Sequence, residues 1–357
     1  MAREWPPVDL IADLSLNPNA HIESVLDENV LAELPKGTEV LSIDSSGASA
    51  WVQTVRIETR QKDGTIKPYF KKAQSGDVGK RMMLGTYESE KAFFEYAPDH
   101  IPKPLAWGSY ESDPETYFYL AEFREMVDEL PNAQAFVSII ANIHRDSRGK
   151  APDGRFGFHV PTHLANIPND NSWKDSWEAW YTVALQRMFD LEALSHSKNE
   201  EFEELKKEFF DKVVPRLLRP LESGGRKVEP CLIHSDLWPG NFMPDADTDK
   251  IIIFDSCAYW GHNESDLGSW RAPRYRMGRP FLRQYQKQMG MSVPQEDWDD
   301  RNALYALRYD LLVSALFPNS EKFRNLVLDE MRRLCQKYPN GFADFHEIED
   351  KGVKVSN

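Results

Sequence analysis

The sequence predicts an α+β fold in two lobes. Up to about residue 123, short β-branched and aromatic runs alternate with turn residues, and beyond about residue 133 apolar residues recur at helical spacing. The chain has 357 residues, enough for each lobe to hold its own core.

The elements follow in order. Residues 39–46 read as a strand ended by Gly47, and residues 51–59 as a second, rich in β-branched side chains. Lys62-Asp63-Gly64 supplies a hairpin turn, and residues 67–73 begin a third strand. A helix is expected over 81–96, where Met82, Met83, Tyr87, Ala92, Phe93 and Phe94 mostly suit one packed face. Ile101-Pro102-Lys103-Pro104 stops it, residues 105–110 and 116–122 read as two more strands, and Glu122-Phe123-Arg124 links the lobes. Helical patterns then cover 133–145, 172–195, 200–221, 280–290 and 297–338. The expected organisation is an N-terminal extension at 1–34, a strand-rich lobe at 35–123, a helical lobe at 124–349 and a frayed tail at 350–357. Neither an internal repeat nor a low-complexity tract is visible.

Composition excludes several function classes. A hydrophobic fraction of 41% with 12% aromatics fits a globular protein, and a mean hydropathy of −0.57 without a long apolar run argues against a membrane partner. The net charge of −14 and pI near 5.2, with no basic tract, argue against nucleic acid and mildly favour an amine-bearing substrate. The first twenty residues carry Glu4, Asp9 and Asp13 and no apolar run flanked by basic residues, so a cytoplasmic protein is expected. Three scattered cysteines, Cys231, Cys257 and Cys335, suit neither a disulfide framework nor a metal site. The nine histidines form no zinc motif, and nothing in the sequence sets the oligomeric state.

The segment His234-Ser235-Asp236-Leu237-Trp238-Pro239-Gly240-Asn241 carries the chemistry, together with the apolar run 251–254 that ends at Asp255. On one loop Asp236 can accept a hydrogen bond from an incoming hydroxyl, while Asn241, five residues on, turns an amide oxygen toward a metal held between phosphates. Asp255 at a strand end is a hard oxygen donor suited to Mg²⁺. Alone, each residue would fit a turn or a strand terminus; their joint order and spacing point to a kinase-type phosphotransferase using ATP and Mg²⁺. Ser235 stands where protein kinases carry Arg and many small-molecule kinases carry Gly.

In a lobe of that kind the loop between the first two strands covers the triphosphate, and here it is residues 45–50, with Ser46, Gly47 and Ser49 as donors. As an isolated signal it is weak, being poor in Gly. Lys71 and Lys72 are both candidates for the phosphate-anchoring lysine, and in a strand they face opposite ways, so only one can reach the nucleotide. Glu88 and Glu90 are the candidates for the acid that orients it, and backbone groups of Glu122 and Phe123 are placed to hold adenine.

Gly47-Ala48-Ser49 with Trp51, PYFKKA at 68–73, IPKPLAWG at 101–108, FGFH at 156–159, SWKDSWEAWY at 172–181, VVPRLLRPL at 213–221, LIHSDLWPGN at 232–241 and FDSCAYWGHNESDLGSW at 254–270 carry a family likeness. From about residue 35 to 340 the chain resembles the fructosamine/ribulosamine-3-kinase family, particularly fungal members, within the aminoglycoside-phosphotransferase-like branch of the protein-kinase-like fold. The resemblance implies ATP-dependent phosphorylation of the sugar 3-hydroxyl of a small-molecule or protein-bound ketosamine, leading to deglycation. It also implies Asp236 as catalytic base, Asn241 and Asp255 as magnesium ligands, and Lys72 over Lys71. Where the family has Gly-Glu at the start of the helix, this chain has Gly85-Thr86, so either Glu90, one turn on, pairs with Lys72 or nucleotide positioning is weakened. Ser235 replaces the family's usual Gly, and Ala165 before Asn166 stands where the family usually has another.

For the acceptor side, His262 and Glu264 could bond sugar hydroxyls or an ammonium, while Trp238 and Trp260 lend flat apolar surfaces. The structural reading is favoured for Asp266, Trp270 and His144, and for Trp173, Trp177, Trp180 and Tyr181 at helical spacing. Two rivals stay open: a kinase for another hydroxylated amine or metabolite, and a pseudokinase-like nucleotide-binding protein with little activity.

Overall fold

The computed structural model describes residues 25–46 and 52–345. After a short helix α1 (Glu28–Ala32), strands β1 (Glu39–Ser45), β2 (Gln53–Arg60) and β3 (Ile66–Ser75) lead into the long helix α2 (Gly76–Tyr96), then β4 (Pro104–Ser109) and β5 (Thr116–Glu122). The five strands form one antiparallel sheet in the order β1-β2-β3-β5-β4. The β2–β3 turn forms where Asp63 and Gly64 predict it: the Asp63 carboxylate accepts from Thr65 N at 2.9 Å, and Gly64 takes φ 86°, open to a residue without Cβ. Helix α2 begins earlier than residue 81, because its first turn is polar and glycine-containing and carries no apolar period.

The alternation of β3 separates two packed faces. On one, Tyr69 and Ala73 join Val55, Ile57 and Leu120 in a core closed by Leu26, Val30 and Leu34. On the other, Tyr119 and Ala121 meet Met82 and Met83 of α2, with Phe70 packed alongside. Residues 26–34, expected in an extension, therefore complete the strand lobe's core. Asp27 ties them down, its carboxylate accepting from Asn29 N, Glu111 N and Ser112 N at 2.9–3.0 Å. The rest of that expected extension, and the expected tail at 350–357, lie outside the described residues.

Helices α3 (Ala133–Ser147), α4 (Trp177–Ser195), α5 (Glu200–Glu208), α6 (Val214–Leu218), α7 (Gly278–Met289), α8 (Trp298–Leu316) and α9 (Glu321–Lys337) follow. Between them lie three antiparallel pairs: β6 (His163–Leu164) with β7 (Ile167–Pro168), β8 (Cys231–Ile233) with β11 (Tyr259–Gly261), and β9 (Phe242–Pro244) with β10 (Ile251–Ile253). The chain divides into two compact units, residues up to Asp175 plus Glu229–Gly290, and Ser176–Val228 plus the residues from Met291 on. The expected lobe boundary at 123 falls inside the first unit, and the expected helical lobe at 124–349 is shared between both.

Proline chemistry explains two departures in the second unit. The expected helix at 200–221 is broken by a π turn at Phe209–Val213. Pro215 lacks an N–H and its ring crowds the carbonyl four residues back, so the wider turn relieves that clash. The expected helix at 297–338 is two, because Pro318 follows Phe317 and α9 restarts only after Ser320. Helix α4 starts at Trp177 rather than 172, with Ser176 Oγ accepting from Ala179 N at 3.2 Å. The aromatic stripe is core: Trp177 and Trp180 stack with centroids 5.4 Å apart, and Trp177 Nε1 donates to Tyr305 OH at 2.9 Å. Among the described residues no helix is long and apolar enough to cross a membrane.

Gly85 brings α2 against the segment before β6, where an added Cβ would lie 2.6 Å from Pro161 O and 3.3 Å from Thr162 Cα. Ala in place of a helical Gly ordinarily stabilises by up to about 1 kcal/mol, whereas this overlap reverses the sign. Gly85→Ala should destabilise by about 1–3 kcal/mol in urea unfolding; a gain in stability would refute the close approach.

His163 has both ring nitrogens buried without a hydrogen-bond partner. Burial first, and Arg81 second, hold its pKa down to about 3. The unfolded chain takes up a proton below about pH 6.5 that the folded chain refuses, so stability is lost as pH falls from there toward 3. Relative to His163→Leu, the wild-type protein should lose about 1.4 kcal/mol per pH unit between pH 6 and 4. Parallel stability curves for the two proteins would contradict it.

Candidate active site

Strand β8 delivers the loop 234–241, and Asp266 holds it from behind. The Asp266 carboxylate is fully buried and accepts from His234 N at 3.0 Å, Ser235 N at 2.7 Å and His144 Nε2 at 3.0 Å. His144 Nδ1 lies 2.6 Å from the Tyr285 hydroxyl, so the histidine after α3's apolar face is a relay in the scaffold. His234 is also buried, its Nε2 donating to Phe254 O at 3.1 Å and its Nδ1 accepting from Asp236 N at 3.2 Å. Burial pushes its pKa down, so it orients the loop as a neutral ring.

Asp236 is half-buried at the loop's outer edge. Asn241 Nδ2 donates to its carbonyl at 2.9 Å and to its Oδ2 at 2.8 Å. With the amide nitrogen committed to Asp236, the Asn241 oxygen is the group left to face a cation. Asn241 is further fixed by its own N–H to Trp238 O at 2.9 Å and its carbonyl to Phe254 N at 3.0 Å.

Phe254 leads from β10 into Asp255, which takes φ 60°, a left-handed conformation that Asp tolerates better than most residues with a Cβ. Its carboxylate pairs with Lys72. Burial alone would raise the Asp255 pKa, but Lys72 overcomes it and holds the carboxyl below its usual range. The side chain is still 49% exposed, so it is open to a further ligand. Strand alternation separates the two lysines: Lys72 faces Asp255, whereas Lys71 is 1% exposed in the opposite core, bonded to Tyr110 OH with its ammonium 4.8 Å from that ring's centroid.

Glu90 does not pair with Lys72. Its carboxylate is buried and Oε1 accepts from Ser256 N at 2.8 Å and Ser256 Oγ at 2.9 Å. Burial raises its pKa to about 7, against the lowering effect of those bonds. Glu88 turns outward to His159 Nε2 at 2.9 Å. Ser46 closes the β1–β2 ladder through Thr54, and Gly47 and Ser49 lie outside the described residues. The expected link is modified: Glu122 N is taken by Lys103 O at 3.0 Å and Phe123 N by Pro68 O at 3.4 Å, so neither N–H is offered to a base.

On the acceptor side the expected wall of His262 and Glu264 does not form. They are 3% and 1% exposed, because the turn Asn263–Leu267 folds inward behind the loop where Asp266 acts, and both are engaged within the fold. Trp260 is buried as well, in β11. Trp238 instead is 38% exposed beside Asp236, with its indole laid over Gly240 and its ring centroid 5.7 Å from that of Tyr275. An added Cβ on Gly240 would come within 2.2 Å of that indole. Ser235 and Ala165, at the two positions noted above as usual glycines, take φ 69° and 56°, so the backbone keeps the left-handed conformation without the residue that suits it.

Sequence reasoning missed Ser256 and Ser89, whose Oγ accepts from Ala258 N at 3.1 Å. Both join α2 to a segment more than 160 residues away, and no local pattern marks such a contact.

The chain is 25% identical over 309 residues to the protein-ribulosamine 3-kinase, chloroplastic, of Oryza sativa subsp. indica, covering 84% of this chain and 82% of that protein. Among solved structures, a protein assigned as a fructosamine-3-kinase from Thermobifida fusca superposes with a TM-score of 0.62 at 22% identity, covering 86% of this chain and 98% of that one. Aminoglycoside phosphotransferase APH(4)-Ia, solved with AMP-PNP and hygromycin B, gives 0.55 at 14% identity over 87% and 97%. These two likenesses share the α+β kinase-like fold. The family model described as Fructosamine kinase matches residues 39–336, most of the chain, and the protein belongs to that family.

Proposed function

We propose that this protein is a Mg²⁺-dependent kinase that transfers the γ-phosphoryl group of ATP to the sugar 3-hydroxyl of a ketosamine, a step leading to loss of the sugar from a glycated amine. The observation that carries the reading is that the Asp236–Asn241 pair and the Asp255–Lys72 pair sit on two loops bonded to each other, Phe254 N to Asn241 O and Cys257 N to His234 O, each at 3.0 Å. One loop presents an acceptor for a hydroxyl proton beside an amide oxygen, and the other presents a carboxylate beside a phosphate-binding cation.

Asp236, with Oδ2 oriented by Asn241, accepts the hydrogen bond of the incoming hydroxyl and aligns its oxygen. Asn241 Oδ1 and the half-exposed Asp255 carboxylate fit Mg²⁺, which takes hard oxygens from one or two side chains and completes its shell with water and phosphate. Among the described residues no group of three or more His, Cys, Asp or Glu forms a protein-only cage. When bound, the ion supplies charge neutralisation on the phosphates. Lys72 exchanges Asp255 for phosphate oxygens, and Trp238 offers an apolar face beside the acceptor. The rival of a nucleotide-binding protein with little activity draws on one observation, that Lys72 has no acid from α2.

The direct test is ADP formation with fructosamines and ribulosamines, compared with the parent sugars, free amines and an aminoglycoside. Ketosamine-stimulated, Mg²⁺-dependent turnover is expected; nucleotide binding without turnover across the panel would defeat the reading. Asp236→Asn should lower kcat by about 100-fold or more while ATP affinity is kept. Lys72→Met should raise the ATP KM by about tenfold or more and lower kcat, whereas Lys71→Met should leave the ATP KM unchanged. Equal damage from both lysine changes would contradict the separation of faces.

A further inference from the structure

The backbone around Asp255 is held on both sides. Ahead of it, Phe254 N donates to Asn241 O at 3.0 Å. After it, Ser256 N donates to Glu90 at 2.8 Å, Cys257 N to His234 O at 3.0 Å and Ala258 N to Ser89 Oγ at 3.1 Å. Consecutive residues of α2 therefore take the amides of residues 256 and 258, while the loop bearing Asp236 takes those of residues 254 and 257. Asp255, in the middle, has the left-handed φ of 60°. Asp tolerates this conformation better than most residues with a Cβ, and the bonds on either side fix it there.

Glu90 is the strongest of these restraints. It is 2% exposed, its acceptor oxygen is ionisable, and it receives both donors of one residue. Removing it would leave the Ser256 amide buried without a partner. Lys72 bonds Asp255 rather than Glu90.

We infer that Glu90 is a positioning residue: it holds Asp255 in its metal-facing conformation through Ser256, and does not serve as the partner of Lys72. This rests on the reading of Asp255 as a magnesium ligand. Helix α2 thereby acts on the metal-facing loop, although Thr86 occupies the usual acidic position.

The two roles predict opposite behaviour for a neutral isostere. Gln keeps the Oε1 acceptor for both Ser256 donors and loses only the charge, whereas Leu loses the acceptor. Glu90→Leu should raise the half-saturating Mg²⁺ concentration at fixed ATP about tenfold, change the ATP KM at saturating Mg²⁺ by less than about twofold, and speed amide hydrogen exchange at residues 256–258. Glu90→Gln should recover most of the Mg²⁺ response and of the exchange protection. If Gln and Leu are equally impaired and both act on the ATP KM as Lys72→Met does, Glu90 works by charge on the lysine and the inference falls. Unchanged exchange and Mg²⁺ response in Glu90→Leu would also overturn it. Should Glu90→Leu fail to fold, Ser256→Ala removes the hydroxyl donor alone and should shift both readouts the same way by less; no shift refutes the inference. If the wild-type protein shows no Mg²⁺-dependent transfer, the proposed function fails, and exchange at residues 256–258 still decides the role of Glu90.

Discussion

A single buried carboxylate organises the candidate site. Asp266 has no solvent contact, and a charge in that position is tolerable only when its lone pairs are met by donors. It meets them with the successive amides of His234 and Ser235 and with His144. Two adjacent amides can point at one carboxylate only if the backbone turns sharply, and Ser235 at φ 69° is that turn. The turn sends Asp236 outward while His234 stays inside to bond Phe254 O. The position of Asp236 thus follows from where Asp266 can find donors.

The second half of the site depends on strand geometry. Because β3 alternates, one of two neighbouring lysines must enter the core and the other must face α2 and Asp255. The core one, Lys71, bonds the Tyr110 hydroxyl and lies against its ring. The other, Lys72, holds Asp255 ionised. The loops bearing Asp236 and Asp255 are tied to each other through two residues. Asn241 bonds both Asp236 and Phe254, and His234 bonds both Phe254 and Cys257.

The sequence was most legible where chemistry and spacing coincide locally. Asp236 to Asn241 is one turn of chain, and its internal bonds follow from residues five apart. The strand lobe and the aromatic stripe of α4 were readable because period-2 and helical patterns report burial directly. Helix breaks at Pro215 and Pro318 were also written in the sequence, and were missed because apolar periodicity ran through them. His262 and Glu264 misled for a different reason: polar residues in a turn look solvent-facing unless the turn is known to fold behind a loop. Whether Glu90 pairs with Lys72 is left open by the sequence, since nothing local says that its carboxylate meets Ser256 instead.

For the proposed transfer, the Lys72–Asp255 pair must open to admit a metal and phosphates while Asp236 keeps its orientation. This opening is tested most directly by a crystal structure with Mg²⁺, a non-hydrolysable ATP analogue and a ketosamine. Lys72 is expected on phosphate oxygens, Asp255 and the Asn241 oxygen on the ion, and the sugar 3-hydroxyl within hydrogen-bond reach of Asp236. Lys72 still bonded to Asp255 with nucleotide bound, or a sugar hydroxyl directed away from Asp236, would contradict it.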